Sequence, residues 1–371
     1  MKTLEFSLDH ISDQLISIDQ KKQIIDCASD FPSQAANFYG FETVLCNDDA
    51  LVDFAFNLTN NGNKWLSSNH HEHYPKLKRL CKNWGSSSNV PFSDGANIWL
   101  EFDTSNEMCI EQEPSIFLAF TDMEALRAGH HAKKRNIQWI KDKLLKDIVA
   151  QDAVDAIAHQ LSLCLQCLPE HTQKIQLGFM LSRSFPAIRL CIFNFTGSNI
   201  QPFLEQITWK GDLEKVLSIT KKYSPWCDSF CIHLDIGAKL YPTLGLELIH
   251  EGEHPWQWQP AFNDNWEHIF NQLQMDGFCT PQKARVLLAL PKKKTISVPL
   301  IEKLINRSFI NDGRLLDTID DGVLTLGIQH IKFKLDVQGN VCVKGYFGGQ
   351  FEEAATIHPT HLKPITDDVH Y

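Results

Sequence analysis

Lys332 and Lys334 stand two residues apart in His330-Ile331-Lys332-Phe333-Lys334, and Lys344 and Tyr346 stand two apart in Val343-Lys344-Gly345-Tyr346-Phe347. Side chains two apart on a strand share a face, so cations on neighbouring strands repel one another unless an anion sits between them. That is the chemistry of an anion site, and Arg189 in Ile188-Arg189-Leu190-Cys191 adds a planar donor to it. Glu101, His233, Asp235 and Glu247 occupy the same kind of alternate strand position and offer groups for proton transfer. Trp99, Phe117, Phe193 and Tyr346 share those positions, where a solvated face would carry smaller side chains. The bland reading of each residue is an exposed strand lysine, a cross-strand ion pair or a hairpin glutamate.

The elements that must position these residues read as five hairpins: Phe41 to Leu58, Asn97 to Phe120, Ile175 to Phe195, Phe230 to Ile249 and Leu324 to Phe347. Their turns fall at Asn47-Asp48-Asp49, Ser105-Asn106-Glu107, Ser184-Phe185-Pro186, Tyr241-Pro242 and Gln338-Gly339-Asn340. Helical spacing predicts helices over Leu66–Trp84, Asn136–Leu168, Leu204–Lys222, Asn263–Met275, Thr280–Leu290 and Ile296–Asn306, and a helical segment over residues 1–40. Thr280-Pro281 has the form of a helix start. One strand face is apolar, with Ile98, Leu100, Ile116, Leu118, Leu190, Ile232, Leu234, Leu246 and Val343 among its residues. Helices can cover that face. The mixed face is then either the solvent side of open sheets or the lining of a closed barrel, a ligand chamber rather than a core.

The chain has 371 residues, 43% hydrophobic and 22% charged, with a formal net charge of −10. This composition excludes a disordered, collagen-like or coiled-coil chain. The acidic balance speaks against nucleic-acid and membrane-surface partners. Eleven scattered cysteines, no secretory start and no apolar run long enough to span a bilayer lead to the expectation of a cytoplasmic protein. His70-His71-Glu72-His73 is rich in metal-type ligands but presents only two on one helix face, short of a zinc site. Lys292-Lys293-Lys294 reads as an exposed loop, and Cys164-x-x-Cys167 lacks the setting of a redox motif.

Paired antiparallel strands alternating with helices, a polar lumen and the Lys344-Gly345-Tyr346 strand resemble the ABBA aromatic prenyltransferases. The resemblance implies an α+β fold: a ten-stranded antiparallel barrel of five hairpin-plus-helix repeats over residues 41–350, helices outside, with a tail over 351–371, in one domain spanning 1–371. It implies an isoprenoid diphosphate and an aromatic or peptide acceptor as partners. Arg189, Lys332, Lys334, Lys344 and Tyr346 would hold the diphosphate, Trp99, Phe117, Phe193 and Tyr346 would shield the allylic cation, and Glu101 would orient the acceptor and take its proton. No metal or other cofactor is implied, since lysines take the place of magnesium. Arg189-Leu190-Cys191 and the His233, Asp235 and Glu247 group depart from the family pattern. Two other functions remain open: a non-catalytic barrel that binds a ligand or peptide, and a different enzyme using His233, Asp235 and Glu247 as acid and base.

Overall fold

Period-two alternation of Val, Ile, Leu and Phe with smaller or polar residues makes these segments strands, and the register of each pair keeps the apolar residues on one side. The computed structural model describes residues 2–32, 35–59, 62, 66, 74–86, 98–104, 113–121, 123, 136–146, 148–181, 187–251, 259–261, 263–297 and 321–353. Strands β1 (Ala36–Val44), β2 (Asp53–Leu58), β3 (Ile98–Phe102), β4 (Ser115–Phe120), β5 (Ile175–Phe179), β6 (Ile188–Phe195), β7 (Ser229–Ile236) and β8 (Leu240–Ile249) pair in sequence order. β8 then pairs with β10 (Asp321–Leu335), β10 with β11 (Val341–Glu353), and β11 with β1, which closes a ten-stranded antiparallel barrel.

An eleventh strand, β9 (Lys292–Ser297), lies outside the ring, against the first half of β10. The lysine run expected as a loop thus opens a strand, with Lys292 opposite Leu326 and Lys294 opposite Leu324. β10 is long enough for two neighbours on one edge: β9 along Asp321–Leu326 and β8 along Ile331–Leu335. The gap between them falls at Ile328. There the Gln259 amide bridges both backbone groups, accepting from Ile328 N–H and donating to its carbonyl, each at 2.8 Å. A bulge between Ile328 and His330 follows and lets both Ile328 and Ile331 keep to the apolar side.

The helices lie on that side. They are α1 (Lys2–Asp9), α2 (Ile18–Ala28), α3 (Pro75–Ser86), α4 (Gln151–Gln166), α5 (Gly197–Gln206), α6 (Leu213–Tyr223), α7 (Asn265–Met275) and α8 (Pro281–Leu288). One continuous core joins Ile24, Leu77, Ile157, Phe203, Ile219, Phe270 and Leu287 of the helices to Phe41, Phe54, Leu100, Leu118, Leu177, Leu190, Leu234, Leu246, Phe333 and Val343 of the strands. The apolar face read from the sequence is therefore the outer face of the barrel. Thr280 caps α8 as expected, accepting from Lys283 N–H.

Several boundaries move. β1 begins at Ala36, inside the expected N-terminal helical segment, because Phe38–Gly40 pair with Gly348–Gln350 of a β11 that itself runs on to Glu353. The helix expected over Asn136–Leu168 is interrupted by a π-helical turn at Lys141–Leu145 before α4 begins. The one expected over Leu204–Lys222 is two, broken at Thr208 (φ 53°), with Asp212 capping the second. Tyr241 and Pro242 are not the fourth turn but part of β8, and Gly237–Lys239 turns instead. Pro242 is tolerated there because β10 pairs only with Leu244–Leu248 of β8. The loops at 105–107 and 184–186, the helix beyond Ser297, His70–His73 and the tail beyond Glu353 lie outside the described residues. Among the described residues, no helix is long and apolar enough to cross a membrane.

A charged and aromatic barrel lumen as candidate site

With the outer face given to the helices, alternation sends the other side chain of each pair inward. A second, separate apolar cluster lies there: Phe117, Met180, Cys191 and Cys231, with Trp99, Phe193 and Ile249 against it. Phe117 lies over Gly178, its cross-strand partner, where a Cβ would meet the ring at 2.6 Å. Phe193 enters from a bulge in β6 next to Asn194 (φ 66°), and Lys174 Nζ stands 4.4 Å over its ring. Burial holds the Lys174 ammonium below the ordinary lysine range.

The charged part of the lumen is organised around two carboxylates. The first, Glu42, is not among the residues singled out from the sequence. β1 turns it inward between Phe41 and Thr43, opposite Asp53 of β2 and Tyr346 of β11. Its carboxylate pairs with Lys344, whose ammonium is also 3.7 Å from Asp53. Burial alone would raise the Glu42 pKa. Lys344 in direct contact, with Lys332 and Arg189 acting at longer range, brings it below the ordinary carboxylate value. Lys344 rises in turn, since Glu42 and Asp53 outweigh its burial, with Glu101 adding to the effect.

The second carboxylate, Glu247, comes from β8. Its Oε1 is 2.9 Å from His233 Nε2, 3.4 Å from His330 Nε2 and 3.4 Å from Lys332 Nζ. Burial opposes its ionisation, but these neighbours hold it well below the usual range. Burial keeps His233 neutral, with a pKa lowered to about 4. His233 Nδ1 lies 3.4 Å from Cys191 Sγ. Gly245 leaves room for the arrangement: a Cβ there would meet His233 Cβ at 2.9 Å and Lys332 Cε at 3.1 Å. His330 stacks on Tyr346, ring centroids 4.1 Å apart, and Lys332 Nζ reaches Tyr346 Oη at 3.4 Å.

Arg189 and Asp235 form a third pair, Nε to Oδ1 at 2.9 Å and Nη2 to Oδ2 at 3.4 Å, with Thr243 donating to Oδ2. Burial works against both charges. Each nevertheless favours the other's ionised form, lowering Asp235 and raising Arg189.

Of the residues expected at the site, Trp99, Glu101, Phe117, Arg189, Phe193, His233, Asp235, Glu247, Lys332, Lys344 and Tyr346 all fall on the inward-facing strand positions, opposite to the helix-covered face. Lys334 shares that alternation but is exposed. Glu101, between Ala55 and Ser115, acts on both Arg189 and Lys344 through its charge. The cations do not stand open to an anion: Arg189, Lys332 and Lys344 each already have a carboxylate. Glu42, Asp53, Lys174, Cys231 and His330 complete the lining. An acidic residue between Phe41 and Thr43, facing Asp53 across a short hairpin, was the available sign of Glu42.

No protein-family model and no curated protein matches the sequence. Among solved structures, a 5-dimethylallyltryptophan synthase from Streptomyces coelicolor superposes with a TM-score of 0.51 at 9% identity, over 93% of this chain and 95% of that one. NotF, in a complex with brevianamide F and DMSPP, gives a TM-score of 0.49 at 11% identity, over 94% and 92%. The closed ten-stranded ring with its helices outside is the prenyltransferase barrel, the fold that this chain shares with the dimethylallyltryptophan synthase.

Proposed function

We propose that the chain is a prenyltransferase that works inside the barrel lumen, moving an isoprenoid from its diphosphate to an aromatic small molecule or a peptide side chain. The observation that carries the reading is a lumen lined by three cations, Lys344, Lys332 and Arg189, each held against a carboxylate, beside a separate wall of aromatic and sulfur side chains. A diphosphate entering the lumen takes over from Glu42, Glu247 and Asp235 as the counter-ion of those cations. The allylic C–O bond breaks and its electron pair leaves with the pyrophosphate, which the cations and Tyr346 stabilise. Trp99, Phe117 and Phe193 present π faces to the allylic cation and keep water away. The acceptor's π electrons form the new bond, and Glu101 takes the proton that restores aromaticity. The ionisation step draws on protein cations, with no magnesium on the diphosphate.

A second reading, a barrel that binds a ligand or peptide without turnover, is favoured by the carboxylate already paired with each of Arg189, Lys332 and Lys344. One experiment separates the two. The protein is titrated calorimetrically with dimethylallyl, geranyl and farnesyl diphosphates, then assayed for pyrophosphate release with indole, phenol and peptide acceptors. Acceptor-dependent release supports transfer. Binding without release supports the second reading, and no binding at millimolar concentration removes the first.

A further inference from the structure

The Glu247 cluster holds more donor atoms than proton chemistry requires. Cys231 and His233 sit two apart on β7, and Glu247 lies opposite Cys231 on β8. Cys231 Sγ, a His233 ring nitrogen and a Glu247 carboxylate oxygen all lie within 4.8 Å of one another, and all three residues are buried. His330 brings its Nε2 to 3.4 Å from the same carboxylate oxygen. The ring nitrogens of His233 and His330 that face Glu247 are buried and share one carboxylate oxygen, Oε1. A thiol, an imidazole and a carboxylate gathered this closely in a buried position have the composition of a ligand set.

We propose that Cys231, His233 and Glu247 bind one zinc ion within the barrel lumen. One thiolate, one imidazole and one carboxylate, with water in the fourth position, suit zinc, whereas magnesium and calcium take oxygen ligands. In the tautomer protonated on Nδ1, which lies 3.4 Å from Cys191 Sγ, His233 keeps the lone pair of Nε2 for the metal, the outer-sphere arrangement that orients ligating histidines. Gly245 supports the site by admitting the His233 side chain beside Lys332. On binding, the thiol proton of Cys231 leaves to solvent, a sulfur–zinc bond forms and nothing is oxidised or reduced. A divalent ion then neutralises the thiolate and the carboxylate, and Lys332, 3.4 Å from that carboxylate, gives up its counter-ion.

The test needs neither isoprenoid nor turnover, so its outcome is separate from that of the proposed function. Full-length protein is stripped with a chelator, checked for folding by circular dichroism and titrated with cobalt(II). The expected result is one cobalt per chain, with the visible absorption of a tetrahedral ion and a near-ultraviolet sulfur-to-cobalt charge-transfer band, both displaced by one equivalent of zinc. Cys231→Ser removes the charge-transfer band, and Glu247→Gln weakens zinc binding by at least on the order of 100-fold. A double variant, His70→Ala with His73→Ala, keeps the spectrum. The proposal is overturned if folded wild-type protein gives no such spectrum, if the charge-transfer band survives Cys231→Ser, or if the histidine double variant abolishes it.

Discussion

Glu42 sets the resting state of the lumen. With its carboxylate on Lys344, and with Lys332 and Arg189 acting on it, an incoming diphosphate competes with an anion already in place. Glu42→Gln should therefore tighten binding of inorganic pyrophosphate on the order of tenfold, whereas Lys344→Ala should weaken it by a similar factor; both are read by calorimetry. Unchanged affinity in Lys344→Ala would show that the anion site lies elsewhere. Outside the lumen, His250 shows what burial does to a single ring. Its side chain is 1% exposed, packs on Trp266 with centroids 4.6 Å apart, and has both nitrogens buried without a hydrogen bond. Burial lowers its pKa from an ordinary 6.5 to about 4, against a small opposing pull from Asp228. The unfolded chain binds a proton there at pH values where the folded protein does not, so this residue makes stability fall as pH drops from 6.5 toward 4. The slope is at most about 1.4 kcal/mol per pH unit. Urea midpoints at pH 7 and pH 5 should differ less in His250→Leu than in the wild type, and an equal difference would count against the assignment.

At the scale of elements, side-chain amides do the work of missing strands. Gln259 fills the gap between β9 and β8 on the edge of β10, next to the bulge that precedes His330. Gln20 of α2 does the same for Val52 ahead of β2, accepting from its N–H at 2.8 Å and donating to its carbonyl at 3.0 Å. Replacing Gln259 by leucine leaves the Ile328 N–H and C=O unmatched, and replacing Gln20 by leucine leaves the Val52 N–H and the Thr104 C=O unmatched while the Val52 carbonyl keeps the Thr104 hydroxyl; each variant should lose about 1–3 kcal/mol in urea unfolding. The two should differ in their effect on the site. Gln259→Leu disturbs the bulge beside His330 and Lys332, and with it anion binding in the lumen. Gln20→Leu changes anion binding less, since its partners Val52 and Thr104 are not themselves lumen residues, although Val52 precedes Asp53.

For the whole molecule, the barrel divides its apolar residues between two tasks. The outer core, continuous with the helices, carries stability, and the smaller inner cluster lines a chamber. Leu234→Ala, at 0% exposure between β7 and the helices, should cost about 2–5 kcal/mol. Phe193→Ala, half-buried in the lumen, should cost well under half of that while changing ligand affinity. Equal costs in chemical denaturation would mean that the lumen is a packed core and no chamber at all.

The ten strands of the ring, their hairpin pairing and the face that helices cover were legible in the chain, because period-two alternation is local and burial of the greasy face leaves one register for each pair; β9, a lysine run without that alternation, was not. So were the positions of Arg189, Lys332, Lys344 and Tyr346, which alternation assigns to the face opposite the helices. Closure was a matter for the tertiary structure: β1 meets β11 across almost the whole length of the chain, and no local pattern announces such a contact. The same holds for the partner of each charge. Lys344 and Glu42 are separated by about three hundred residues, and His233, Glu247 and His330 come together only when β7, β8 and β10 lie side by side. Alternation says which way a side chain points; which others it meets depends on the order of the strands around the ring, which only the folded barrel decides.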